Sequence, residues 1–93
     1  MSIVVRFSPI GLTTEKYDDV LGRLEAAGVA IPADGMDYHI CFGPSDNLLV
    51  SEIWDSPEQF AAFGEKLMPI LNEAGVEFSG EPQVFEVHNI MKG

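Results

Sequence analysis

Apolar positions along this chain alternate with a period of two in some stretches and recur at helical spacing in others. From Ser2 to Ser8, Ile3, Val5 and Phe7 share one side while Val4 and Arg6 share the other, which predicts a strand. Pro9-Ile10-Gly11 interrupts it. Thr13 is placed to cap a helix, and Tyr17, Val20, Leu21, Leu24 and Ala27 follow at i, i+3, i+4 spacing. Asp19 and Arg23 form an i, i+4 pair on its polar side, and Gly28 is placed to end it. Val29 to Gly35, with Pro32, reads as a loop.

Met36 to Phe42 and Leu48 to Asp55 are a second and third strand, joined through the turn formers Gly43-Pro44-Ser45-Asp46-Asn47 as a hairpin. The third strand runs directly into a helix. Ser56 is a good N-cap, Pro57 suits the first helical position, and Gln59 completes a capping box. Phe60, Phe63, Gly64, Leu67, Leu71 and Ala74 form the apolar stripe of this helix, and Gly75 ends it. Pro69 lies inside the stripe and predicts a kink or break near Met68. Glu77 to Pro82 reads as a loop with room for a short extended piece, and Gln83 to Ile90 as the last strand.

The order β-α-β-β-α-β predicts an α+β, ferredoxin-like domain over residues 1–93: an antiparallel four-stranded sheet with two helices on one face. If the hairpin loop is Pro44 to Asn47, His39 stands opposite Glu52. One hairpin face then carries Tyr38, Ile40, Phe42, Leu49, Ser51 and Ile53. The other carries Asp37, His39, Cys41, Leu48, Val50, Glu52 and Trp54. By pattern, Arg6, Glu86 and His88 extend the mixed set, and Phe85 and Val87 the apolar one. Both faces need cover, and the helices supply only one. A second copy of the chain is the simplest cover for the other.

Composition supports that pairing. Hydrophobic residues make up 46% of the chain, with six Phe, which is a large apolar content for one small core. The net charge of −10 argues against nucleic acid and anionic membrane surfaces as partners. Cys41 is the lone cysteine, so neither a disulfide nor a Cys-rich metal site is available within the chain. Ile3-Val4-Val5 is too short for a secretory core, and no stretch reaches the ~20 apolar residues of a membrane span, so a cytoplasmic protein is expected.

With these elements placed, the chain resembles the dimeric α/β-barrel superfamily, and within it the antibiotic-biosynthesis-monooxygenase-like branch. The resemblance is carried by Gly11-Leu12-Thr13 with Tyr17, by His39, by Ile53-Trp54-Asp55-Ser56 with Phe60 and Phe63, by Leu67, Met68, Pro69 and Leu71, and by Val87-His88-Asn89. It implies a homodimer whose sheets pack face to face, with a pocket between each sheet and its helices. Relatives in the superfamily include cofactor-free oxygenases of aromatic polyketides, haem-degrading enzymes, lactone isomerases and proteins without a known activity. The haem-degrading pattern is not met. The first strand lacks its Asn, its helical Trp falls at Phe63, and its axial His falls near Glu73.

His39 with Glu52 is the candidate acid/base pair, a carboxylate orienting an imidazole. The plainer alternative is a cross-strand pair that fixes the hairpin register. Arg6, Tyr17, Trp54, Phe63 and His88 are the candidate pocket residues, each with a simpler role in the core, on the surface or in an ion pair. No metal-ligand spacing and no phosphate-binding glycine loop occurs, so neither metal nor cofactor is expected. Two functions follow. The first is a homodimer that binds a small apolar ligand between sheet and helices without catalysis. The alternative is a cofactor-independent monooxygenase-like or isomerase-like enzyme acting on a small aromatic or polyketide-type substrate.

Overall fold

The structure, a computed structural model, describes residues 2–91. Strand β1 (Ile3–Phe7) and the short β2 (Pro9–Ile10) precede helix α1 (Thr14–Ala26). Strands β3 (Met36–Phe42) and β4 (Leu49–Trp54) form the hairpin, followed by helix α2 (Pro57–Ala74), β5 (Glu77–Phe78) and β6 (Gln83–Glu86). The main sheet has the antiparallel order β3-β4-β1-β6, and the fold is ferredoxin-like α+β.

The first strand ends at Phe7, within its expected range, but the expected break at Pro9-Ile10 is itself a short strand. Pro9 has no N–H to continue a ladder, and the chain turns to pair Pro9 with Phe78 and Ile10 with Glu77 as a separate two-stranded sheet. The last strand stops at Glu86 rather than Ile90. Helix α2 runs unbroken through Pro69. Leu67 and Leu71 anchor the turns on either side of that proline in the core, and burial outweighs the one backbone bond that a proline cannot donate.

Local signals set the helix ends. Thr13 accepts from the Lys16 N–H, and Ser56 accepts from the Gln59 N–H at 3.2 Å. The Ser56 hydroxyl also donates to Gln59 Oε1, so the box closes side chain to side chain. Gly75 takes φ 75°, a left-handed conformation open to glycine at little cost, and ends α2. Ser56→Ala is expected to lower stability by about 0.5–2 kcal/mol. An unchanged urea midpoint and slope would show that another group caps α2.

The hairpin register sets His39 opposite Glu52, Ile40 opposite Ser51 and Phe42 opposite Leu49. The helices pack on the face bearing Ile3, Val5, Phe7, Val50 and Trp54, which join Val20, Leu24, Phe63, Leu67 and Leu71 in one core. The covered face is thus the mixed one. The nearly all-apolar face is left open, with Ile40 52% and Phe85 52% exposed. Arg6 pairs with Ser51 and belongs to this open face, not to the mixed set. Parity decides it: Val5 opposes Glu52, so its neighbour Arg6 points the other way.

Candidate functional site

A cavity of about 60 Å³ lies between α1, α2 and the covered face of the sheet. Leucine and valine side chains from the helix stripes and from β4 make an apolar wall, and β2, β5 and the loop at Ile31 border it. Tyr17 of α1, His39 of β3, Glu52 of β4 and Phe63 of α2 reach it.

Three of these are joined by short hydrogen bonds. The Tyr17 hydroxyl lies 2.6 Å from His39 Nε2, and His39 Nδ1 lies 2.6 Å from Glu52 Oε2. The Tyr17 and His39 rings are also stacked, with centroids 5.9 Å apart. The Trp54 indole donates to Glu52 Oε1 at 3.0 Å. Glu52 is the buried charged residue of the described structure, only 3% exposed. Two N–H donors offset the loss of water around its carboxylate. The four side chains form one continuous chain from the core to the cavity.

Each link has a local cause. Glu52 and Trp54 are two apart on a strand and so share a face. The register brings His39 across from Glu52. Tyr17 arrives from another layer, because Val20 and Leu24 seat α1 on the sheet. Burial first, then Cys41, Glu52 and Asp18, push the Tyr17 hydroxyl up to about 12. Burial, then Asp18, raises the Cys41 thiol. An additional negative charge is therefore disfavoured here.

Of the residues expected at a pocket, Tyr17, His39, Glu52 and Phe63 meet at the cavity. Trp54 does not line it. It is fully buried between Phe60 and Phe63 and touches the site only through Glu52. Arg6 lies across the sheet, and His88 is exposed beyond the end of β6. The sequence reading missed the Tyr17–His39 contact, since nothing local relates residues on separate layers. It also missed the Trp54–Glu52 bond, which the alternation along β4 could have suggested. Among the described residues, no group of three or more His, Cys, Asp or Glu converges as a metal site, and no helix is long and apolar enough to cross a membrane.

SnoaB, a cofactor-independent oxygenase from Streptomyces nogalater, matches over 99% of this chain and 96% of its own, with TM-score 0.59 and 18% identity. This chain shares the fold of antibiotic-biosynthesis-monooxygenase-like proteins. Rv0793 from Mycobacterium tuberculosis matches over 98% of this chain and 95% of its own, with TM-score 0.54 and 13% identity. A Chloroflexus aurantiacus protein described as an antibiotic-biosynthesis monooxygenase covers 99% and 97%, with TM-score 0.54 and 16% identity. No protein-family pattern matches the chain, and no curated protein matches its sequence. At these identities the likeness is one of fold.

Proposed function

We propose that the protein binds a small apolar molecule in the cavity between sheet and helices, and that it does so as a homodimer joined through the open face of the sheet. The observation that carries the binding reading is the apolar-walled cavity between the sheet and the helices. Size limits the ligand. An engineered apolar cavity of about 150 Å³ takes benzene or xenon. A space of about 60 Å³ fits a diatomic, a single noble-gas atom or a short aliphatic group without rearrangement. A larger aromatic must displace side chains at the rim, where Phe78 and Ile31 are only partly buried.

A second reading is a cofactor-independent enzyme, the activity carried by SnoaB. The hydrogen-bond chain favours it, because an apolar binding site needs no imidazole backed by a carboxylate. In that reading His39 is the base and Glu52 orients it.

Xenon tests the binding reading. Under moderate xenon pressure, methyl NMR signals of Val20, Leu24, Val50 and Leu67, all at the wall, are expected to shift progressively and saturate. Shifts absent from these methyls, or spread evenly over the protein, would reject an accessible cavity.

A further inference from the structure

We propose that Trp54 is a positioning residue that fixes the rotation of the group at position 52 and so keeps it aligned with the proton path from Tyr17 to His39. The proposal rests on the second reading of the site, in which His39 is a base. An indole N–H can only donate. That of Trp54 meets Glu52 Oε1 at 3.0 Å, and the ring cannot turn away because it is fully buried with Phe60 and Phe63 rings 5.7 and 5.4 Å from its own. Oε1 is therefore held on the Trp54 side, and Oε2 faces His39 Nδ1 at 2.6 Å.

The remaining protons follow from the carboxylate that Trp54 holds in place. A carboxylate only accepts, so His39 carries its proton on Nδ1. Nε2 then presents a lone pair, and the Tyr17 hydroxyl at 2.6 Å donates to it. Every bond points from the cavity toward Glu52 except the last, where Trp54 points back and closes the chain. Without Trp54, the group at position 52 would lose the contact that fixes its rotation.

The path has a definite chemistry. Tyr17, raised to about 12, stays neutral near neutral pH and does not act as a free phenolate. It can relay. A ligand bearing an acidic O–H or activated C–H gives its proton to the Tyr17 oxygen, and that bond's electron pair stays on the ligand. The original Tyr17 proton passes to His39 Nε2, where a new N–H forms. The imidazolium is stabilised by Glu52, and the net change is one proton moved from ligand to His39.

The test reads protons directly and needs no substrate. His39 and His88 are the only histidines, so imidazole 15N spectra contain two rings, and His88→Gln assigns them. Spectra are recorded above the pH at which the rings titrate. Wild type is expected to show the Nδ1–H form of His39. In Glu52→Gln, Trp54 still demands an acceptor, so the introduced carbonyl must face the indole and the introduced NH2 must face Nδ1. The tautomer is then expected to invert to Nε2–H. In Glu52→Gln combined with Trp54→Phe, the amide is free to turn and the Nδ1–H form should reappear. A wild-type Nε2–H ring, an unchanged tautomer in Glu52→Gln, or a double variant identical to the single one would each overturn the proposal.

If the double variant does not fold, the 1H shift of the Trp54 indole N–H in Glu52→Gln decides. A downfield, hydrogen-bonded position like that of wild type means that the introduced carbonyl faces it and supports the proposal, whereas an upfield, unbonded position overturns it. The binding reading fails separately, on the xenon shifts. A normal xenon response with the wrong tautomer would leave a cavity without a directed relay.

Discussion

Trp54→Ala is expected to destabilise the protein by about 3–5 kcal/mol, as removal of a buried Trp or Phe does elsewhere. Trp54 has 0% exposure and sits where β4 meets α2. Alanine there leaves a void between Phe60 and Phe63. It also strips Glu52 Oε1 of its donor, and an unsatisfied buried acceptor adds about 1–3 kcal/mol, more if charged. Small domains hold only about 5–15 kcal/mol in total, so much of the population should be unfolded at 37 °C. Far-UV circular dichroism in urea, at fixed protein concentration, measures the loss without relying on the tryptophan itself. A midpoint shift equivalent to less than about 1 kcal/mol would show that the junction is not a keystone of the core.

Ile40→Asp is expected to split the proposed homodimer into single chains while leaving the fold intact. Ile40, Phe42 and Phe85 are 52%, 40% and 52% exposed, and Val4, Leu49 and Ile53 share their face. An isolated antiparallel sheet ordinarily turns its polar side to water. Here the polar pair His39 and Glu52 is inside and the hydrocarbon is outside, an arrangement that suits cover by an identical sheet. A carboxylate forced into such a contact loses its hydration without a partner, at a cost of several kcal/mol. Each 1.4 kcal/mol is tenfold in Kd, so dissociation should strengthen by about a thousandfold or more. Light scattering at micromolar concentration should give twice the 10.2 kDa chain mass for wild type and the single-chain mass for Ile40→Asp. A wild-type mass of one chain would reject the pairing outright.

The site was half legible before the structure. His39 and Glu52 were predicted to meet because a four-residue turn and strand alternation are local constraints, and they meet as predicted. Phe63 and Tyr17 lie on apolar helix stripes, so their inward direction was readable too. Arg6 was misplaced because the register of β1 was extended from the hairpin by pattern, and a shift of one residue reverses every side chain. His88 fell outside because β6 ends at Glu86, a boundary that no strong turn former marks.

By itself the sequence determined the order and type of the long elements, both N-caps and the hairpin register from Tyr38 to Phe42, because these depend on neighbours within a few positions; a bulge at Asp37, which sets Met36 opposite Trp54, was not legible there. Only the tertiary structure decided the rest. It paired Pro9–Ile10 with Glu77–Phe78, kept α2 continuous through Pro69, and chose the mixed face of the sheet for the helices to cover. It also brought the Tyr17 hydroxyl to His39 Nε2, across 22 positions of sequence. Those outcomes turn on how much apolar surface each packing buries, which is a property of whole faces brought together and is not written at any one position.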